Sequence, residues 1–308
     1  MIIVFGSLNI DMHMPVEHMP RAGDTVLCPA YTRVPGGKGA NQALAAAKAG
    51  GNVKLFGRIG SDDFGKEVLV NLKEADVDLT GVTSTEEACT GCAMVCVDPR
   101  GENMITVASG ANMLAKQDEI PDFLLDKGNT LLLQLETPPE ENWKLIQRAK
   151  KFGARIILNL APASDIPINI IEMVDVLILN EIEANTLALH LGFDVISPSV
   201  AARRIAANFD ITCVVTLGAK GSLACDPNSV WEVNAMDIDA LDTTAAGDAF
   251  VGVLAASIDA GVDMPLALRR ASAASGLACG EPGAQSSLPS LARIDEALNR
   301  VPTPKKIA

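Results

Sequence analysis

Nowhere in the 308 residues is there an uninterrupted apolar run of about 18, the length a membrane-spanning helix requires. The opening segment, MIIVFGSLNIDMHM, has no basic region before its short apolar run and no small-residue cleavage site. It does not read as a signal peptide, and the expected location is the cytoplasm. Positive charge is also scarce: 25 Lys and Arg against 38 Asp and Glu leave a formal net charge of −13. Such a field repels phosphate backbones and anionic lipid, which argues against nucleic-acid and membrane partners. A polyanionic ligand must then be held locally, by backbone amides, a lysine or a divalent cation.

The glycine fingerprint GxGxxG is missing, which weakens a dinucleotide-binding or dehydrogenase reading. A Walker A loop is missing too: no glycine stands five residues before Gly37, and neither Ser nor Thr follows Lys38. The three histidines, His13, His18 and His190, share no motif with a nucleophile and read as structural or solvated. Seven cysteines, an odd count, suit reduced thiols better than a disulfide framework. Cys89 and Cys92 make a CxxC, with Cys96 close by. The segment TGCAMVCV alternates as a strand, however, and on a strand Cys89 points away from the other two, so small strand residues are the simpler reading than a metal site. The acidic pairs Glu86-Glu87 and Glu140-Glu141 read as solvated faces.

What is present is a chain 48% hydrophobic, long enough to bury a large core. Apolar runs (IIVF, VKLFGRIG, TLLLQLE, RIILNLAP, VDVLILN, CVVTLG) alternate with helix-like stretches. This rhythm predicts an α/β fold, a mostly parallel central sheet with helices on both faces. Residues 11–35 and 89–108 break it with short alternating segments that suggest a small antiparallel β lid over the strands' carboxyl ends. The expected division is a large domain of residues 1–10, 36–88 and 109–300, the lid, and a fraying tail of 301–308.

Three motifs carry chemistry. In DTTAAGDAF (242–250), a turn of small residues opens a helix, and the amides of Ala245, Ala246 and Gly247 can converge on an anion where the helix dipole adds positive potential. Asp248 sits at that helix start, placed to take the proton of an alcohol as it attacks a phosphoryl group; the plainer reading is a helix cap. In VPGGKGANQA (34–43), glycines allow a close backbone approach, and Lys38 and Asn41 offer a donor and an amide to hydroxyl groups; a plain strand-to-helix turn explains it equally well. In GSLNID (6–11), Asn9 and Asp11 are two apart and share a face if extended.

Together with GENMI, GAN, LLQLETP, LNLAPA, the Asn180–Glu183 NxxE run, TLGAKG and GAQSSLP, these motifs resemble the PfkB family of carbohydrate kinases, and within it the ribokinase-like branch, from Gly6 to about Pro289. The resemblance implies the ribokinase-like fold and ATP-dependent phosphorylation of a sugar hydroxyl, first of all D-ribose to D-ribose 5-phosphate. Another sugar, a sugar acid or a nucleoside is the alternative; the lid's one aromatic, Tyr31, argues against stacking a nucleoside base. By resemblance, Asn9, Asp11, Gly37, Lys38, Asn41, Glu136 and Asp248 line the sugar pocket, with Asp248 as base and Ala245, Ala246 and Gly247 as its anion hole. On the ATP side it implies Asn180, Thr216, Leu217, Gly218, Ala219, Lys220, Gly221, Gly247 and Ser272, the last shorter than the polar side chain usual there. Glu183 is implied for magnesium through water, and Asp242, Thr244, Ala278, Glu281, Gly283 and Ser287 for a potassium ion, several through backbone carbonyls. A homodimer joined through the lid is the expected assembly, and a catalytically silent sensor the competing class.

Overall fold

In the computed structural model, which describes residues 1–194 and 197–307, the apolar runs become strands buried on both sides. In chain order these are β1 (Ile2–Phe5), β2 (Asn9–Pro15), β3 (Thr32–Gly36), β4 (Val53–Gly60), β5 (Asp78–Thr85), β6 (Gly91–Val97), β7 (Asn103–Ala108), β8 (Thr130–Leu133), β9 (Arg155–Asn159), β10 (Val176–Asn180), β11 (Thr212–Thr216), β12 (Ser222–Asp226), β13 (Ser229–Val233) and β14 (Lys305–Lys306). Ten of them form one sheet in the order β14-β13-β12-β11-β10-β9-β8-β1-β4-β5. From β5 across to β11 every pairing is parallel; β12, β13 and β14 then add an antiparallel edge. The tail is therefore anchored rather than frayed, because Lys305 and Lys306 pair with Glu232 and Trp231.

Strand geometry explains the unbroken apolar runs. Ile2 and Val4 face one side of the sheet and pack with the helices Lys38–Lys48, Ala246–Asp259 and Met264–Cys279. Ile3 and Phe5 face the other and pack with Pro139–Phe152, Glu181–His190 and Pro198–Phe209. All four are fully buried, each worth roughly 1.5–3 kcal/mol relative to exposure. Among the described residues no helix is long and apolar enough to cross a membrane.

From β1 the chain steps to β4 and β5 on one side; it returns at β8 on the other and moves outward to β11. The carboxyl ends of β1 and β8 thus flank a topological switch point, the place where open α/β sheets leave a crevice for ligands. A second sheet, β3-β2-β6-β7, rises there. Its outer pairs are antiparallel, but β2 and β6 run parallel, since both continue from the carboxyl ends of parallel strands, β1 and β5. Cys89 lies before β6 begins at Gly91 and is exposed, so the strand-face argument applies only to Cys92 and Cys96.

Candidate active site

Two helices from distant parts of the chain meet at the crevice. Gly252 lets them touch: a Cβ there would lie 2.5 Å from the Gln42 carbonyl oxygen and 2.6 Å from Ala45 Cβ. The alanines of Lys38–Lys48 serve the same close contact. Across it, Asn41 Nδ2 donates to Asp248 Oδ2 at 3.0 Å, and Gln42 Nε2 donates to Oδ1 at 2.9 Å. Gln42 gives its second N–H to Asn159 Oδ1 (2.9 Å) and accepts from Gln134 Nε2 (2.8 Å); Asn41 Oδ1 accepts from Gln285 Nε2 (3.2 Å). With every polar atom of the Gln42 amide engaged, its rotamer and the Asp248 carboxylate are fixed together. Asp248 is not a cap. The N-cap is Ala245, at φ +57, with no side-chain cap bond.

The turn before this helix is braced by Asp242, whose oxygens accept from the amides of Thr244 (2.9 Å) and Gly283 (2.8 Å). Burial pushes the Asp242 carboxyl up, but hydrogen bonds from Thr244 and Gly283 outweigh it and hold the carboxyl below its usual range, with the charge His13 can carry acting in the same direction. The Ala246 amide donates to Thr243 O at 3.2 Å. Of the three amides expected to converge, those of Ala245 and Gly247 have no acceptor among the described residues and that of Ala246 is engaged, because the left-handed Ala245 folds the turn back on itself.

A charged cluster lies beside Asp248. Lys38 opens its helix with its amide 3.1 Å from Glu136 Oε2 and its Nζ 3.9 Å from Oε1. Ser7 Oγ donates to the same Oε2 at 2.5 Å and accepts from the Gly39 amide at 3.3 Å; a Cβ on Gly39 would sit 2.5 Å from the Gly6–Ser7 peptide. The Asp248 charge holds the Lys38 ammonium above its usual range against burial, with Glu136, Glu183 and Asp11 adding to it. Burial, then the charges of Glu136 and Asp248, carry the Asp11 carboxyl from 3.8 to about 7, with Lys38 opposing. Asn9 is buried and accepts from Asn112 Nδ2 at 2.7 Å, while Asn112 also brackets the Leu8 peptide. An excess of carboxyls over ammonium suits a neutral ligand rich in hydroxyls, each able to donate to a carboxylate oxygen.

Two cavities meet at Asp248's turn. One, of about 260 Å³, is lined by Lys38, Asn159, Asn180, Glu183, Ala245, Gly247 and Asp248 among others. The second, of about 480 Å³ and within the range of small-molecule sites, is lined by Gly218, Ala219, Gly221, Met236, Ala246, Phe250, Ser272 and Gly276 among others. Thr216, Thr243 and Gly247 border both. A carboxylate held at such a junction can take a proton from an alcohol in one cavity while the free amides steady an anion arriving from the other.

Of the residues proposed from sequence, Lys38, Asn180, Glu183, Thr216, Gly218, Ala219, Gly221, Ala245, Ala246, Gly247, Asp248 and Ser272 border these cavities. Asn9, Asp11, Gly37, Asn41 and Glu136 do not; Asn41 and Glu136 are tied to Asp248 and Lys38 by the hydrogen bonds above. Leu217, whose amide bonds Gly221 O, and Lys220, which pairs with Glu181 at 3.6 Å, do not border the cavities. The Ser272 hydroxyl is paired with Ser222 Oγ at 3.2 Å. Burial raises the Glu183 carboxyl, opposed by its bond from the Asn180 amide and by Lys38. Asp242, Thr244 and Gly283 come together through the bonds above, and Ser287 and Ala278 are buried; the Glu281 carboxylate pairs with Arg293 at 3.2 Å. Sequence reasoning missed Ser7, Gln42, Asn112, Asn159 and Gln285, although all five stand inside quoted motifs (GSLNID, VPGGKGANQA, GAN, LNLAPA, GAQSSLP).

A family model described as "pfkB family carbohydrate kinase" matches residues 1–291. The ribokinase of Haemophilus influenzae is 33% identical over 296 residues, 94% of this chain and 95% of that one. The ribokinase structure from Thermotoga maritima superposes with a TM-score of 0.90 at 32% identity, covering 97% of this chain and 99% of that one. The Arabidopsis thaliana ribokinase structure complexed with ribose and ATP does so with a TM-score of 0.86 at 29% identity, covering 96% and 98%.

Proposed function

This chain belongs to the pfkB family of carbohydrate kinases, and from that premise we propose that it transfers the terminal phosphoryl group of ATP to a hydroxyl of D-ribose, giving D-ribose 5-phosphate and ADP. The observation that carries the reading is the Asp248 carboxylate, held by Asn41 and Gln42 where the two cavities meet. In this reaction the sugar hydroxyl lies against Asp248 Oδ and loses its proton to it. The oxygen bonds to phosphorus as the bond from phosphorus to the ADP oxygen breaks, and the amides of Ala245 and Gly247 bind the charge that builds on the group in flight. Asn9, Asp11, Lys38, Asn41 and Glu136 orient the sugar; the loop from Thr216 to Gly221, with Ser272, encloses the nucleotide. A pentose fits the carboxyl-rich cluster better than an anionic sugar acid, which the same carboxyls repel.

Magnesium would screen phosphate charge when bound. Glu183 fits a role through water, since it borders the smaller cavity with one oxygen held by the Asn180 amide and the other without a partner among the described residues. For potassium, the loops carrying Asp242, Thr244 and Gly283 are held together in a way that fits a shared oxygen-lined site. The assembly we propose is a homodimer through the lid, supported by edge strand β7, exposed along its whole length with Met104, Ile105 and Val107 about half exposed. A cytoplasmic location accords with seven free cysteines. Coupling ADP release to a readout over ribose, 2-deoxyribose, fructose and nucleosides, with and without magnesium and potassium, tests the reading; turnover on a nucleoside in place of ribose overturns it.

A further inference from the structure

Three side-chain amides that border neither cavity run in a row to Asp248. Asn71 Nδ2 donates to Gln285 Oε1 at 2.9 Å, Gln285 Nε2 donates to Asn41 Oδ1 at 3.2 Å, and Asn41 Nδ2 donates to Asp248 Oδ2 at 3.0 Å. Chemistry dictates the direction of this row. An ionised carboxylate only accepts, so Asn41 must turn its NH2 toward Asp248 and its oxygen toward Gln285. Gln285 must then donate, which leaves its own oxygen for Asn71. Asn41 and Gln285 are 5% and 2% exposed, so bulk water does not replace a missing partner, and each amide fixes the next.

Gln285 lies in the segment between helices Met264–Cys279 and Leu291–Ala297. The main chain of this segment is held as firmly as the side chain. Lys48 Nζ donates to the carbonyl oxygens of Gln285 (3.4 Å) and Leu288 (2.9 Å), and Ser287 Oγ donates to Ala284 O at 2.8 Å. Lys48 ends the helix that also carries Asn41, about two turns further along. One helix therefore grips the segment by its backbone and receives its side chain. Packing alone asks for none of this, since apolar side chains of similar shape at all three positions leave no polar atom to satisfy. What the polar row adds is a donor held against one oxygen of the base.

We propose that Gln285 is a positioning residue for phosphoryl transfer: through Asn41 it keeps an N–H against Asp248 Oδ2, so that the carboxylate stays turned to the sugar hydroxyl, while Gln285 touches neither substrate. This rests on the kinase reading above. With the Gln285 donor gone, the Asn41 amide is free to turn over; its oxygen then faces the carboxylate and repels it from the hydroxyl. Asn71 acts by the same route, because its donor keeps Gln285 the right way round.

The test measures the phosphoryl-transfer step by rapid quench in the full-length protein, saturated with MgATP and with the acceptor that the sugar panel supports. Gln285→Met, similar in length but without a donor, is expected to slow transfer about tenfold, with MgATP and sugar bound within about threefold of wild type. In an Asn41→Ala background the same substitution should change transfer by less than about twofold, because the route to Asp248 is already cut. Asn71→Ala should slow transfer about threefold in the wild-type background and less than about twofold in the Asn41→Ala one. It decides the question by itself should Gln285→Met fail to fold. Equal slowing in both backgrounds marks a purely structural role and overturns the assignment, as do unchanged transfer in the wild-type background and a loss confined to ligand affinity. Absence of turnover by the wild type overturns the kinase reading instead, so the two failures are told apart.

Discussion

Replacing Asp11 with asparagine should make the protein more stable and a poorer sugar binder, to an extent that depends on pH. Burial beside Glu136 and Asp248 carries this carboxyl from 3.8 to about 7 in the folded protein, whereas the unfolded chain titrates near its ordinary value. Between about pH 4 and about pH 7 the native state therefore keeps a proton that the unfolded state has released, and the group's contribution, fully present below about pH 4, is lost as pH rises through about 7. At about 1.4 kcal/mol per pH unit, the loss reaches about 4 kcal/mol by pH 8. Asparagine carries no charge and escapes it. Urea unfolding without sugar should show Asp11→Asn close to wild type near pH 4 and about 3–4 kcal/mol more stable at pH 8. Ribose affinity of the variant should fall tenfold or more, and that of the wild type should tighten from pH 6 to 8 as Asp11 becomes an acceptor for sugar hydroxyls. A stability gap that stays constant or narrows with rising pH rules out a raised Asp11 carboxyl in the folded protein.

Gln42→Leu removes one of the two donors to Asp248 and orphans Asn159 Oδ1 and Gln134 Nε2. Unfolding should be easier by about 2–4 kcal/mol, and steady-state kinetics should show kcat at least tenfold lower with KM for ATP little changed. Gly221→Ala places a Cβ 2.0 Å from Val233 O at φ +105; thermal melting should show a loss of about 2 kcal/mol or more, and KM for ATP should rise as the loop beside the larger cavity shifts.

Much of the fold was legible because parallel strands covered on both faces leave unbroken apolar runs, and because the motif strings mark the carboxyl ends of β1, β8, β10 and β11. The parallel β2–β6 pairing was hidden: alternation in TGCAMVCV reveals a strand but not the direction of its neighbour. At the site, Asp248, Lys38 and Glu136 were found from motifs, while Gln42 was not. Its role exists only because Gly252 brings two helices together, and Gln42 and Asp248 are 206 residues apart in sequence. The engaged Ala246 amide depends on the left-handed Ala245, which a row of alanines does not announce.

One carboxylate, Asp248, receives the sugar's proton at the junction of two cavities in the proposed reaction. Rapid-quench measurement of phosphoryl transfer by Asp248→Asn, with binding of ribose and MgATP followed in parallel, puts it to the most direct test. Both ligands should bind within about threefold of wild type while the transfer step slows by about 10²–10⁴-fold; transfer within tenfold of wild type, with both ligands still bound, rules out Asp248 as the base.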